Sequence, residues 1–190
     1  MVSAPQASPT PRPQLKAPVS ILVPSGDEDH DGDEGHGGKI YVANVNAGTV
    51  SVIDVKWKRV TVEISVGAQP SALALARGGK LLLVANYGSA SVSVIDIKTL
   101  KVTATLKAGQ QPIDIAVAED KAYVLNQGSN NVTVLDVKKM ISGKSIRVGT
   151  QPSRIRMGSG SRNAYVSDTN DDSISVIDTH IDEVIATINE

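Results

Sequence analysis

The sequence contains no cysteine and no phenylalanine, and its 190 residues include only one tryptophan and four tyrosines. The absence of cysteine excludes a disulfide framework, a thiolate metal site and a cysteine nucleophile. Because aromatic residues make up only 3% of the chain, a hydrophobic core has to be built from Val, Ile, Leu and Ala. The length fits one domain, with at most a short appendage.

Long apolar runs and an excess of one charge are also lacking. No stretch of the sequence approaches the roughly 20 apolar residues of a membrane-spanning helix. The formal net charge of −1 gives no general electrostatic reason to expect nucleic-acid binding. The charge is unevenly placed, since residues 1–38 carry a net −4 and the remainder carries +3.

Residues 1–18 are predicted to form a flexible tether, because their five prolines each remove a backbone donor and fix φ. The segment lacks the cationic start and apolar centre of a signal peptide. It resembles the linker that follows a removed signal or lipid-anchor segment. We therefore expect an extracytoplasmic location, whether secreted, periplasmic or at the cell surface.

A repeat of about 40 residues dominates the remainder. The segments IYVANVNAGTVSVID, LLVANYGSASVSVID, AYVLNQGSNNVTVLD and AYVSDTNDDSISVID end at Asp54, Asp96, Asp136 and Asp178, which are 42, 40 and 42 residues apart. A second landmark, VGAQP, AGQQP or VGTQP, ends at Pro70, Pro112 and Pro152, which are 42 and 40 apart. Two landmarks with one period indicate a true structural repeat.

Each repeat divides into four short runs rich in Val, Ile and Thr, which are typical of β-strands. Four strands in this length match one blade of a β-propeller. The sequence therefore predicts an all-β propeller with four four-stranded blades. The predicted blades cover residues 19–66, 67–108, 109–148 and 149–190, with an acidic insertion at 25–38 in the first blade.

The motifs YVAN, LVAN, YVLN and YVSD, with SVID and VGxQP, resemble the YVTN-repeat β-propellers of surface-layer and secreted proteins. The resemblance covers roughly residues 39–190, and more loosely residues 19–38, and implies a ring of about seven blades. Four blades are then half of a larger ring, a fragment of one, or a ring that closes alone. Because an open arc exposes apolar flanks, we expect a homo-oligomer or a larger protein assembly.

The repeated polar residues are predicted to be mainly structural. The four closing aspartates are expected to accept backbone hydrogen bonds in hairpin turns. One face should collect basic hairpins, and the other should collect polar turns. The candidate contact residues are an exposed aromatic anchor and five residues of the polar turns: Trp57, Asn44, Asn86, Tyr87, Asn126 and Asp168.

The acidic insertion is the only candidate metal site in the sequence. Asp27, Asp29 and Asp31 precede Gly32 in a D-x-D-x-D-G pattern, and Asp33 can add a further ligand, as in the first half of a calcium loop. The twelfth position is Gly38 instead of the bidentate glutamate of an EF-hand. The segment is therefore a calcium site, a solvated acidic loop, or a zinc or copper site through His30 and His36.

The sequence contains no Gly-rich phosphate loop, no HExxH and no GxSxG motif, and its three histidines suggest no catalytic triad. We therefore expect a non-catalytic scaffold for protein or surface interactions, with calcium as the only suggested cofactor. One alternative is an accessory subunit of a redox or electron-transfer assembly. Another is a module that binds polysaccharide, nucleic acid or a lipid surface through the basic hairpins.

Overall fold

The computed structural model describes residues 17–24 and 38–189, which fold into sixteen β-strands in four antiparallel sheets. Each sheet is one blade. Blade 1 contains β1 (Pro18–Leu22), β2 (Lys39–Asn44), β3 (Thr49–Asp54) and β4 (Arg59–Ser65). Blade 2 contains β5 (Pro70–Ala76), β6 (Leu81–Asn86), β7 (Ser91–Asp96) and β8 (Lys101–Lys107).

The other two blades repeat this pattern. Blade 3 contains β9 (Pro112–Ala118), β10 (Lys121–Asn126), β11 (Asn131–Asp136) and β12 (Ile141–Arg147). Blade 4 contains β13 (Pro152–Met157), β14 (Asn163–Asp168), β15 (Ser173–Asp178) and β16 (Glu183–Asn189). The predicted fold class is confirmed, and blade 1 begins at Pro18, one residue before the predicted boundary.

Each blade is a simple meander whose register repeats from blade to blade. In blade 2, Leu81 pairs with Asp96 and Asn86 pairs with Ser91, so the second and third strands align without a shift. The first strand of that blade shifts register between Pro70 and Ala72, because proline cannot donate to the ladder. The repeat in sequence is therefore a repeat in strand register.

The hydrophobic core lies between the blades. The first strands β1, β5, β9 and β13 lie next to one another, and three apolar clusters fill the junctions between successive blades. Small alanines such as Ala72 and Ala116 lie on the inner strands, and the larger Leu83 and Val94 lie further out. Each blade therefore buries its apolar faces only against a neighbour.

The meander places the turns on two faces. We call the side with the first-to-second and third-to-fourth strand turns the hairpin face. The opposite side, with the second-to-third strand turns and the links between blades, is the link face. No helix of the described ranges, 17–24 and 38–189, is long and apolar enough to cross a membrane. The tether at residues 1–16 and the insertion at 25–37 lie outside these ranges.

Candidate functional site

The outward side of blade 4, which we call the trailing flank, exposes apolar side chains that are buried in every other blade. Tyr165 is 40% exposed, whereas its equivalents Tyr41 and Tyr123 are 1% and 0% exposed. Ile188 is 53% exposed, although Leu106 at the same position of blade 2 is 7% exposed. Ile174 is also exposed, whereas its equivalents in blades 1–3 are buried.

A groove of about 300 Å³ runs along this flank near the link face. Ile174 and Ile188 form its apolar wall, and Ser167, Ser173 and Asn189 add polar atoms. At the internal junctions the equivalent surface is closed by the next blade, as the buried Val92 and Leu106 show in blade 2. The trailing flank is therefore one half of an unfinished blade junction.

The other half lies on blade 1, whose outward side we call the leading flank. Ile21, Val23 and Val55 are exposed there. Their equivalents in blade 2 are Leu73, Leu75 and Ile97, and all three pack against the cluster between blades 1 and 2. The two ends of the blade arc thus present matching halves of the same kind of interface.

Lys121 and Tyr123 of blade 3 form hydrogen bonds with Asp182 of blade 4, and we call this group of contacts the polar lock. The Tyr123 hydroxyl donates to Asp182 Oδ1 at 2.6 Å and to the Thr179 carbonyl at 3.0 Å. Lys121 Nζ donates to Asp182 Oδ2 at 2.7 Å and to the same carbonyl at 3.0 Å. Burial, together with the Asp182 carboxylate, raises the pKa of Tyr123 far above its ordinary value.

A cleft of about 860 Å³ opens beside this lock on the hairpin face. Its walls carry charges of both signs, including Lys138, Lys139, Arg162, Asp136 and Asp178. Lys139 pairs with Asp136 at 3.4 Å, so part of this charge is neutralised locally. The cleft offers no concentration of one charge for a ligand.

Four of the predicted contact residues lie inside the fold and not on its surface. Asn44, Asn86, Asn126 and Asp168 end the second strand of each blade and are at most 1% exposed. Asn86 Nδ2 donates to Ser93 Oγ at 3.0 Å. These side chains tie the second strand to the third, so they are not available to a partner in the folded chain.

Asp168 is the acidic member of this set. Its Oδ2 accepts a hydrogen bond from Ser175 Oγ at 2.6 Å, whereas the asparagines donate to the equivalent hydroxyls. Burial raises the pKa of Asp168 above its usual value, and the bond from Ser175 opposes that shift. The charged carboxylate is therefore disfavoured at this position.

Trp57 and Tyr87 remain candidates for contact. Trp57 is 64% exposed in the β3–β4 turn, and Lys56 Nζ lies 5.6 Å from the centroid of its ring. Tyr87 is half-buried in a short 3₁₀ turn, and its backbone N–H donates to the Gln69 carbonyl. Trp57 therefore presents the larger exposed aromatic surface.

The closing aspartates have the structural role that the sequence predicted. Asp96 Oδ1 accepts from the Thr99 backbone at 2.7 Å, and Asp136 Oδ1 accepts from the Lys139 backbone at 2.8 Å. Asp54 and Asp178 accept equivalent backbone hydrogen bonds. These bonds lower the pKa of Asp96, Asp136 and Asp178.

Asp27, Asp29, Asp31 and Asp33 lie outside the described residues, as do His30 and His36. Within ranges 17–24 and 38–189, no three His, Asp or Glu side chains are grouped closely enough to hold a metal ion. Calcium binding by the insertion therefore stays a prediction.

Sequence reasoning missed two contacts between blades 3 and 4. One is the lock at Asp182, and the other is Asp114, which accepts from Arg156 Nη1 at 2.7 Å and from the Ile155 N–H at 3.1 Å. Both aspartates depart from the repeat: Ala72 is equivalent to Asp114, and Leu100 is equivalent to Asp182. The equivalent positions vary from blade to blade, with Lys58 at the Asp182 position and Arg154 at the Asp114 position, so the sequence repeat gave no clear signal for these contacts.

The blade pattern agrees with comparisons to known proteins. The family model of the YNCE-like β-propeller matches residues 35–189. The chain belongs to this β-propeller family. The resemblance to YVTN-repeat propellers is consistent with that membership. No curated protein matches the sequence.

Three solved structures share the propeller fold. Hydrazine synthase of Kuenenia stuttgartiensis is 24% identical with a TM-score of 0.79, covering 99% of this chain and 53% of that one. Virginiamycin B lyase from Staphylococcus aureus is 14% identical with a TM-score of 0.72, covering 93% and 57%. The dihydro-heme d1 dehydrogenase NirN is 15% identical with a TM-score of 0.65, covering 80% and 35%. The YNCE-like chain thus spans between 35% and 57% of the length of these three structures.

Proposed function

We propose that this YNCE-like propeller chain is a non-catalytic, extracytoplasmic scaffold that acts through protein or surface contacts and self-associates through its two flanks. The observation that carries the proposal is the exposure of Tyr165, Ile174 and Ile188 at positions that are buried in the other blades. Exposed apolar side chains grouped on one flank are typical of an interaction site. The proline-rich start of the sequence supports the extracytoplasmic location.

Light scattering of the purified chain tests the self-association. We expect a mass above that of one chain, and an Ile188→Lys variant should shift the mass towards the monomer. Ile141→Lys is the matched control, because Ile141 is 51% exposed, as against 53% for Ile188, but lies on blade 3, which has a neighbouring blade on each side. A monomeric wild-type chain, or equal effects of the two variants, would contradict the proposal.

Anion binding through the hairpin face is a second candidate. Lys56, Lys98 and Lys138 are exposed at equivalent positions of three hairpin turns, so they form a row of positive charges. Retention on heparin that weakens towards about 0.15 M salt, where the screening length is about 8 Å, would support it. The redox-assembly alternative predicts a visible cofactor absorption band in protein purified from its native source.

A further inference from the structure

The cleft between blades 3 and 4 lies where the packing between blades changes in character. At the junction of blades 2 and 3, Val137 and Met140 from the β11–β12 turn pack into the apolar cluster that contains Leu83. At the junction of blades 1 and 2, Ile97 and Leu100 hold the same places in the cluster there. An apolar pair thus closes the hairpin-face side of both junctions.

Blade 4 has polar residues at both of these places. Thr179 is equivalent to Val137, and Asp182 is equivalent to Met140. Asp182 takes part in the polar lock, and the Thr179 hydroxyl donates to the Arg162 carbonyl of its own blade at 2.9 Å. A polar pair therefore replaces the apolar pair at this junction, and the cleft of about 860 Å³ opens there.

Hydrogen bonds between turns and blades hold the walls of the cleft in place. The Thr179 N–H donates to the Arg162 carbonyl at 2.9 Å, so the β13–β14 and β15–β16 turns of blade 4 are joined. The Thr179 carbonyl accepts from Lys121 Nζ and from the Tyr123 hydroxyl, both at 3.0 Å, and these bonds fix blade 4 against blade 3. A site that is ordered before its ligand arrives loses less entropy on binding.

Hydrogen-bonding groups of both kinds line the walls. The donors include Lys138, Arg162 and His180, and the acceptors include Glu119 and Asp120. Because positive and negative groups offset each other, a ligand with a net charge has little advantage here. A hydroxyl group both donates and accepts hydrogen bonds, so a ligand rich in hydroxyl groups can use both kinds of partner.

The lining of the cleft also has an apolar part. Ile181 is 52% exposed in the β15–β16 turn, and Ala118 ends β9 on the wall of blade 3. Small-molecule sites typically have volumes of about 300–1,000 Å³ and combine apolar side chains with a few polar groups. Saccharide rings carry C–H groups as well as hydroxyl groups, so they match both parts of this lining.

We propose that the cleft between blades 3 and 4 binds a neutral saccharide. Arg162 of blade 4 and Glu119 of blade 3 would form charge-assisted hydrogen bonds with its hydroxyl groups, and such bonds are stronger than those between neutral groups. His180 would add a further hydrogen bond, and Ile181 would contact the C–H groups of a ring. The lining lies within residues 118–181, so the site depends neither on segments outside the described residues nor on the proposed self-association.

A variant that restores the apolar packing tests the cleft itself. Lys121→Leu, Tyr123→Leu, Thr179→Val and Asp182→Met together give this junction the residues of the junction between blades 2 and 3. We call this protein the junction-swap variant. Even a buried ion pair can often be exchanged for well-packed apolar residues without loss of stability. The variant should therefore stay folded, which its Tm checks, while its cleft is closed.

Binding would be measured first on a printed array of neutral and acidic oligosaccharides, and then by calorimetry with the compounds that bind. We expect the wild type to bind neutral saccharides and the junction-swap variant to lose this binding. Arg162→Ala should weaken binding at least about tenfold, because a charge-assisted hydrogen bond is lost. Lys80→Ala is the matched control, since Lys80 is exposed and precedes the second strand of blade 2 as Arg162 precedes that of blade 4.

Three results would overturn the proposal: no saccharide bound by the wild type, binding of acidic saccharides alone, or equal binding by the wild type and the junction-swap variant. If the junction-swap variant does not fold, the single substitutions decide, and equal dissociation constants for Arg162→Ala and Lys80→Ala would refute the site. Light scattering measures self-association separately, so the failure of one proposal is distinguishable from the failure of the other.

Discussion

Gly149 lies so close to Asp168 that a Cβ atom added to the glycine would be 2.6 Å from the Cβ of the aspartate. The same relationship joins Gly67 to Asn86 in blade 2 and Gly109 to Asn126 in blade 3, at 2.6 and 2.7 Å from the side-chain Cγ atoms. The two sequence landmarks of the repeat, VGxQP and the end of the second strand, are thus in contact. The glycine is required because no side chain fits between them.

Replacing such a glycine should destabilise the fold. Gly109→Ala would place its Cβ against Asn126, and overpacking of this kind costs about 1–3 kcal/mol. Each kcal/mol lowers the Tm by roughly 2–4 °C at this chain length. Gly38→Ala is the control, since among residues 17–24 and 38–189 its Cβ would meet Val55 alone, at 3.9 Å. If the two variants have the same Tm, the close contact at Gly109 does not limit the stability of the fold.

The second prediction concerns Asp168 and its neighbour Asp171. Because burial raises the pKa of Asp168, its ionised form destabilises the fold at neutral pH. Asp168→Asn should therefore raise the Tm at pH 7. The gain should shrink as the pH falls through the folded pKa of Asp168, since the wild-type carboxyl then becomes neutral as well.

Asp171→Asn should have the opposite sign. Asp171 accepts hydrogen bonds from the Thr150 hydroxyl and from the Thr150 backbone, and these bonds lower its pKa. Its stabilisation is therefore present at neutral pH and is lost as the pH falls through its lowered pKa. Melting curves from pH 7 to acid pH would check both signs. If the two variants change the Tm in the same direction at pH 7, the opposite roles given to Asp168 and Asp171 are wrong.

The third prediction is energetic coupling between Tyr123 and Asp182. Tyr123→Phe removes a partly buried hydrogen bond to a carboxylate and should cost about 1.5 kcal/mol. In an Asp182→Ala background the same change should cost clearly less, because the partner is already gone. Denaturant titrations of the four proteins measure the coupling, and additive costs would argue against the lock.

An exposed ion pair provides the comparison for this cycle. Lys144 Nζ lies 2.8 Å from Glu183 Oε1 across the same two blades, but both side chains are about half exposed. Such pairs contribute little to stability. Lys144→Ala should therefore leave the denaturation midpoint nearly unchanged.

The fourth prediction tests the acidic insertion. Extracellular calcium sites typically have a Kd of about 10⁻⁴–10⁻³ M. If the segment binds calcium, about 10 mM calcium should stabilise the fold by at least about 1.4 kcal/mol through mass action. A variant with Asn at Asp27, Asp29, Asp31 and Asp33 should show no such rise in Tm. Identical calcium responses of the two proteins, or none in either, would reject the site.

The sequence by itself determined the blade. Two landmarks with one period, together with β-branched runs, were sufficient to predict the four strands of each blade, because strand pairing within a meander is local. The closing aspartates were equally predictable, since each hydrogen-bonds a backbone N–H two or three residues along the chain.

Only the tertiary structure decided which polar residues are available. Asn44, Asn86 and Asn126 looked like loop residues in the sequence, but the link segment and the third strand bury them. The exposure of Tyr165 could not be predicted from its repeat position, since the same position is buried in blades 1 and 3. Burial in a propeller depends on the neighbouring blade, and the end of the arc has no neighbour within the described residues to cover it.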